Sequence, residues 1–136
     1  MAKMVLLASY ISINSNDLST YCSSIEVSAE VSDEDVTTFG SGGWKEVLGG
    51  LKSGSVKLKF KQDVAVSALD SIMWALLGAV VAFETRLSNA VVGTSNPKYT
   101  GSVLISKWTP ISGDVGSVAE VDVEFPSSGA VVRATS

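Results

Sequence analysis

Val56-Lys57-Leu58-Lys59-Phe60-Lys61 and Glu120-Val121-Asp122-Val123-Glu124-Phe125 decide the fold. In each stretch apolar and charged residues strictly alternate. A strand sends successive side chains to opposite faces, so each stretch has one core face and one charged face. One comb is wholly basic, the other wholly acidic. Opposite charges across neighbouring strands are worth about 0.2–1 kcal/mol per pair, and like charges there are penalised. The combs therefore select each other, within one chain or between copies. The pattern predicts β structure built for specific association.

Outward from the combs, further strands are predicted at Val5–Ile13, Tyr21–Val31, Val80–Leu87, Tyr99–Trp108 and Ala130–Ala134, separated by Asn-, Ser-, Gly- and Pro-rich turns. In Tyr21–Val31, Ile25, Val27, Ala29 and Val31 occupy one face and Ser24, Glu26, Ser28 and Glu30 the other. Between Val31 and the basic comb the alternation stops. Ser32–Ser53 is rich in Gly, begins acidic (Asp33, Glu34, Asp35), and carries Phe39, Trp44, Val47, Leu48 and Leu51. Long irregular connections in compact domains are usually functional or disordered, and disorder is poor in aromatics. The segment is expected to be a loop that docks on its own domain or a neighbouring subunit. Val66, Leu69, Ile72, Met73, Leu76 and Leu77 recur at helical spacing, which predicts a helix over 64–77, capped by Asp63 or Ser67 and stopped by Gly78.

The tally is one domain over 1–136: an antiparallel β sandwich or partly open barrel of six to seven strands flanked by one helix. The first thirteen residues superficially resemble a signal peptide, but Ser9, Tyr10 and Ser12 interrupt the apolar run and no small-x-small cleavage site follows. A strand is expected there, no membrane span, and synthesis in the cytoplasm followed by assembly.

The chain has 136 residues, a net charge of −4, a charged fraction of 18%, one cysteine and no histidine. A negative chain with one short basic run lacks the footprint for gripping phosphates. Without histidine a Ser-His-Asp triad cannot form, Cys22 has no base to activate it, and a zinc site lacks ligands. The glycines at 40–43 and 49–50 are not followed by Gly-Lys-Ser/Thr, so a phosphate loop is disfavoured. Asp33, Glu34 and Asp35 do not follow EF-hand spacing. No cofactor, metal or catalytic residue is expected. The function classes left are a structural assembly protein or, as the alternative, a small β-sandwich binding module on a virion or secreted assembly.

The order of elements resembles the major tail protein (tail tube protein) of long-tailed bacteriophages. The phrases that carry it are Val36-Thr-Thr-Phe-Gly40, Gly50-Leu-Lys-Ser-Gly54, Gln62-Asp63, Leu69-Asp70, Met73-Trp74, Ser95-Asn96-Pro97 with Tyr99-Thr-Gly101, and Gly129 near Val132-Arg133. The resemblance implies a virion subunit that forms stacked hexameric rings whose strands share a continuous inner barrel. Its partners would be itself, tail tip and terminator proteins and a tape-measure protein, with double-stranded DNA passing through unbound. It further implies that Ser32–Ser53 contacts the adjacent ring, with Asp33, Glu34, Asp35, Phe39, Trp44, Leu48 and Leu51 as docking residues. Glu26, Glu30, Glu120, Asp122 and Glu124 become candidates to line the bore. Lys57, Lys59 and Lys61 are expected to lie against acidic side chains of the same or the next subunit.

Overall fold

A computed structural model describes residues 3–136 of the chain; Met1 and Ala2, part of the leader-like stretch, lie outside the described residues. Eight strands and one α-helix follow in order: β1 (Tyr10–Ile13), β2 (Asn16–Asp17), β3 (Cys22–Asp35), β4 (Val47–Lys61), α1 (Leu69–Leu76), β5 (Val80–Arg86), β6 (Lys98–Leu104), β7 (Glu120–Pro126) and β8 (Val132–Ala134). They form two antiparallel sheets that do not close into a barrel, in strand orders β2-β1-β5-β6-β8 and β3-β4-β7.

The core lies between the sheets. Val56, Leu58 and Phe60 of β4 and Val121, Val123 and Phe125 of β7 face Ile11, Ile13, Phe83 and Val103 of the other sheet, and all are buried. Burying such side chains contributes about 1.5–3 kcal/mol each, which fixes strand register because a one-residue slip would send them to water. Gly101 sits opposite Phe83 in the β5–β6 ladder. A Cβ there would lie 2.8 Å from the Ala130 carbonyl oxygen and 3.1 Å from the Phe83 ring, so only glycine admits the ring. Asn14 and Ser15 join β1 to β2 with φ of 52° and 66°, the left-handed pair that a two-residue hairpin of type I′ needs.

The helix is shorter than its apolar spacing predicts. It begins at Leu69, after an extended Ala68, and neither Asp63 nor Ser67 caps it. Ser67 has φ of 61°, outside helical geometry, and the Asp63 carboxylate instead accepts from the Ala65 amide at 3.0 Å, closing a turn. Leu69 and Met73 are fully buried, and Ile72 and Leu76 pack beside them. Trp108, 7% exposed, packs against Phe60 at 6.1 Å between ring centroids and donates from Nε1 to the Asp70 carboxylate at 3.0 Å. Gly78, with φ of 87°, ends the helix as the sequence predicts, and its amide donates to Ile105.

Two expected strands are cut back. The first starts at Tyr10 rather than Val5, because Met4–Leu7 find no ladder partner and stay exposed. β6 ends at Leu104, where Ile105 turns to bond Ala79 and the chain leaves to bring Trp108 under the helix.

The largest departure is Ser32–Ser53, expected to be a loop. Most of it is ladder: β3 and β4 pair as far as Asp35↔Val47, with a register shift between Val31 and Asp33. β7 leaves β4 at the Ser55↔Pro126 pair. Proline has no amide to donate and the chain turns away there. Beyond Gly54 the ribbon is therefore two-stranded, with both faces in water and a tip at 36–46.

Candidate functional site

Register brings the two combs together within one chain. Lys57, Lys59 and Lys61 stand opposite Glu124, Asp122 and Glu120 respectively. On the other side of β4, Glu26 faces Lys57 and Ser24 faces Lys59. The lysines thus form a central row with a wholly acidic strand on one side and Glu26 and Ser24 on the other. Lys59 Nζ lies 3.3 Å from Glu120 Oε2, and Lys61 pairs with the other oxygen of the same carboxylate. Lys57 stands between Glu26 and Glu124 without an ion pair inside 4 Å. Glu30 extends the face along β3, opposite Ser53. The Glu120 carboxyl is held below the ordinary carboxylate range, chiefly by its hydrogen bond from Lys61 and then by the one from Lys59.

These eight side chains occupy the face of the β3–β4–β7 sheet turned away from the core. Five carboxylates and three ammonium groups leave it two charges negative. The basic stripe is thus flanked by acid in its own subunit. Phe60 points into the core, so no aromatic stands beside Lys59 or Lys61 to stack a base.

The second feature is the two-stranded arm. Glu34 stands opposite Leu48, and Asp33 opposite Gly49. The Asp35 carboxylate accepts from the Thr37 amide at 2.8 Å, and the Thr37 side chain first, then this amide, holds its pKa below the ordinary value. At the tip a single 3-10 turn over Phe39–Ser41 is closed by Ser41 Oγ, which accepts from the Thr38 amide at 3.1 Å. Phe39 is fully exposed, Trp44 is 80% exposed and Leu51 86%, and Leu48 is exposed as well. None of them docks on its own domain. An isolated two-stranded ribbon is marginal in water, and Trp and Phe are typical interface anchors.

Sequence reasoning missed a third feature at the opposite end of the same sheet. Val64, Val66, Ile111, Val115 and Val118 are all exposed there, although the apolar spacing places 64–66 in the helix and 111–116 reads as a turn. The available signal was the pair of aliphatic residues Ile111 and Val115 in turn-forming context.

Among the described residues no group of three or more His, Cys, Asp or Glu side chains is placed to hold a metal, and Asp33, Glu34 and Asp35 alternate along the arm instead of converging. No helix among them is long and apolar enough to cross a membrane. Cys22 is half-buried, and burial raises its thiol pKa, which disfavours the reactive thiolate.

A sandwich with an ordered charged sheet face, a free edge strand in β3 and an arm of uncovered apolar residues defines a subunit built to join others. The model of the phage tail tube protein family matches residues 19–133, and the chain belongs to that family. It is a structural subunit of a virion tail, which displaces the binding-module alternative. Two solved structures share its fold. One, from the virion of a native gene transfer agent particle, is 21% identical, with 92% of this chain and 94% of that chain covered and a TM-score of 0.72. The other, from the tail of an empty gene transfer agent particle with C6 symmetry, is 19% identical, with 93% of each chain covered and a TM-score of 0.69. No curated protein matches the chain in sequence.

Proposed function

We propose that copies of this chain close into six-membered rings and that the rings stack into a passive, hollow conduit for double-stranded DNA. The face bearing Glu26, Glu30, Glu120, Asp122 and Glu124 would line the bore. The observation that carries this is the single-sided charge arrangement: one face of β3–β4–β7 is core, the other is ordered, exposed and net negative. DNA binding is driven by phosphate neutralisation and counterion release. A negative wall on which Lys59 and Lys61 are engaged by Glu120 and Lys57 stands between Glu26 and Glu124 removes that drive, so a duplex slides without sticking.

The number six is supported by the C6 symmetry named for one similar tail. Ring closure is favoured because β3 is paired on one side only, and a neighbour that completes it removes an aggregation-prone edge. The arm, with Asp33, Glu34, Asp35, Phe39, Trp44, Leu48 and Leu51, serves stacking between rings. The role is non-catalytic, in keeping with a chain that lacks histidine. Tail tip, terminator and tape-measure proteins are the remaining partners. Cryo-electron microscopy of the intact tail tests this: we expect six chains per ring with the comb face inward. A tail in which the comb face looks outward overturns it.

A further inference from the structure

The arm needs a receptor, and β4 indicates where it lies. From Val47 at the base of the tip to Lys61 this strand runs 15 residues, roughly 45–50 Å at about 3.3 Å per residue. At its far end Gln62 continues the ladder, its amide donating to the Ala119 carbonyl at 3.0 Å. Gln62 Nε2 also donates to the Pro110 carbonyl at 2.8 Å, tying segment 62–66 to segment 110–119. Between them is a shallow groove of about 430 Å³, lined by Gln62, Val64, Pro110, Ile111, Asp114 and Ala119 among others. Ile111 is 91% exposed, and Val66, Val115 and Val118 enlarge the apolar surface around it. Aliphatic side chains clustered at one end of a sheet, with nothing of their own chain over them, match the aromatic pair left bare at the other end.

We propose that this groove receives the arm tip of a second copy in the next ring, with Trp44 and Phe39 seated among Val64, Pro110 and Ile111. The inference rests on the tail tube reading and adds the receptor to it. Three observations select a second copy as the occupant. Tip and groove lie at opposite ends of one sheet, so a copy displaced along the strand direction presents one to the other; such head-to-tail contacts propagate without limit. Charge also matches: Lys45 lines the tip beside Trp44, Asp114 lines the groove, and neither forms an ion pair in its own chain among the described residues. Finally, the hydrogen bonds from Gln62 build the groove before any partner arrives, so docking orders little new chain.

The test uses the full chain in assembled tails, with Cys22→Ser as background. Lys45→Cys, which spares the Trp44 anchor beside it, and Ile111→Cys are placed together in one chain, and purified tails are treated with a short bis-maleimide. The two positions are too far apart to link within a subunit. The expected result is a ladder of dimers, trimers and higher multiples, with each single variant giving none. Intact tubes that yield no ladder, or Ile111→Cys linking instead to another tail protein, overturn the groove assignment while leaving the tube reading standing. Tails that lack this chain as their wall defeat the tube reading itself. Should the double variant not assemble, Lys45→Glu and Asp114→Lys decide. Each alone is expected to lower the assembled fraction roughly two- to fivefold, and the two together to restore it. No restoration overturns the proposal.

Discussion

Replacing Lys57, Lys59 and Lys61 together by glutamine tests whether the combs stabilise the subunit or serve its surface. The geometry sets the size of the effect. Glu120 holds Lys59 at 3.3 Å and contacts Lys61, and the side chains of Lys59 and Glu120 are 46% and 35% exposed. Pairs this wet are worth about 0.2–1 kcal/mol each. Lys57, flanked by Glu26 and Glu124 without direct contact, adds less than another ~1 kcal/mol. The triple variant also leaves five carboxylates on one face without compensation. We expect a loss of roughly 1–2.5 kcal/mol at low salt, or about 3–10 °C in Tm. It should shrink markedly at 0.5 M salt, where the Debye length falls below the ~10 Å of 0.1 M. Leu58→Ala is the control on the same strand. Leu58 is wholly buried, and its truncation should cost about 2–5 kcal/mol at any salt. Urea unfolding of the isolated subunit, followed by tryptophan fluorescence, reads both, because Trp44 and Trp74 are already exposed and the signal belongs to Trp108. A loss above about 4 kcal/mol for the lysine variant, or one indifferent to salt, would refute the assignment of the combs to a screened surface.

Trp44→Ala should leave subunit stability within about 0.5 kcal/mol, since the residue is 80% exposed, yet it should abolish tube formation by negative-stain microscopy. Glu120 should titrate below the ordinary carboxylate range in a carbon-detected NMR titration, and Lys61→Met should raise it toward the ordinary value. A folded pKa below the unfolded one means that its small contribution is present above pH ~4.3 and is lost as pH falls through the folded value. Trp108→Phe removes the donor to Asp70 and part of a buried ring, and should cost about 1.5–3 kcal/mol in urea unfolding. Gly78→Val forces a β-branched residue to φ of 87° and should cost about 1–2 kcal/mol or more, read as a lower Tm.

How far the fold was legible follows from where a core face existed to impose a period. The combs, the Ile25–Val27 alternation and the helical spacing from Leu69 to Leu76 all have one side against the core, and each was found. Charge complementarity is indifferent to connectivity, so the combs alone fit pairing within one chain or between two; the register that puts Lys57 against Glu124 settles it. Asp63 and Ser67 have capping chemistry but belong to the turn before α1, so sequence puts the helix start too early. Ser32–Ser53 reads as a loop for a different reason. Past Gly54 the ribbon has no covered side, so nothing enforces alternation and the strand signal fades while the strand persists.

That failure is itself informative about assembly. A ladder that continues far beyond its own core, with apolar residues on both sides and two aromatics at its tip, cannot be accounted for by the energetics of the subunit, because nothing there repays ordering it. The same holds for the aliphatic cluster at 62–66 and 110–119. Each end of the β3–β4 sheet carries apolar surface that a solitary domain would shed under selection for solubility, while the comb face between them is fully compensated or solvated. Bare apolar surface thus marks both ends of the strands, in addition to the exposed Met4–Leu7 stretch. A subunit that leaves apolar surface bare at both ends of its strands, beside the unpaired edge of β3, is expected to gain stability on assembly, and its isolated form should be markedly less stable than the tube.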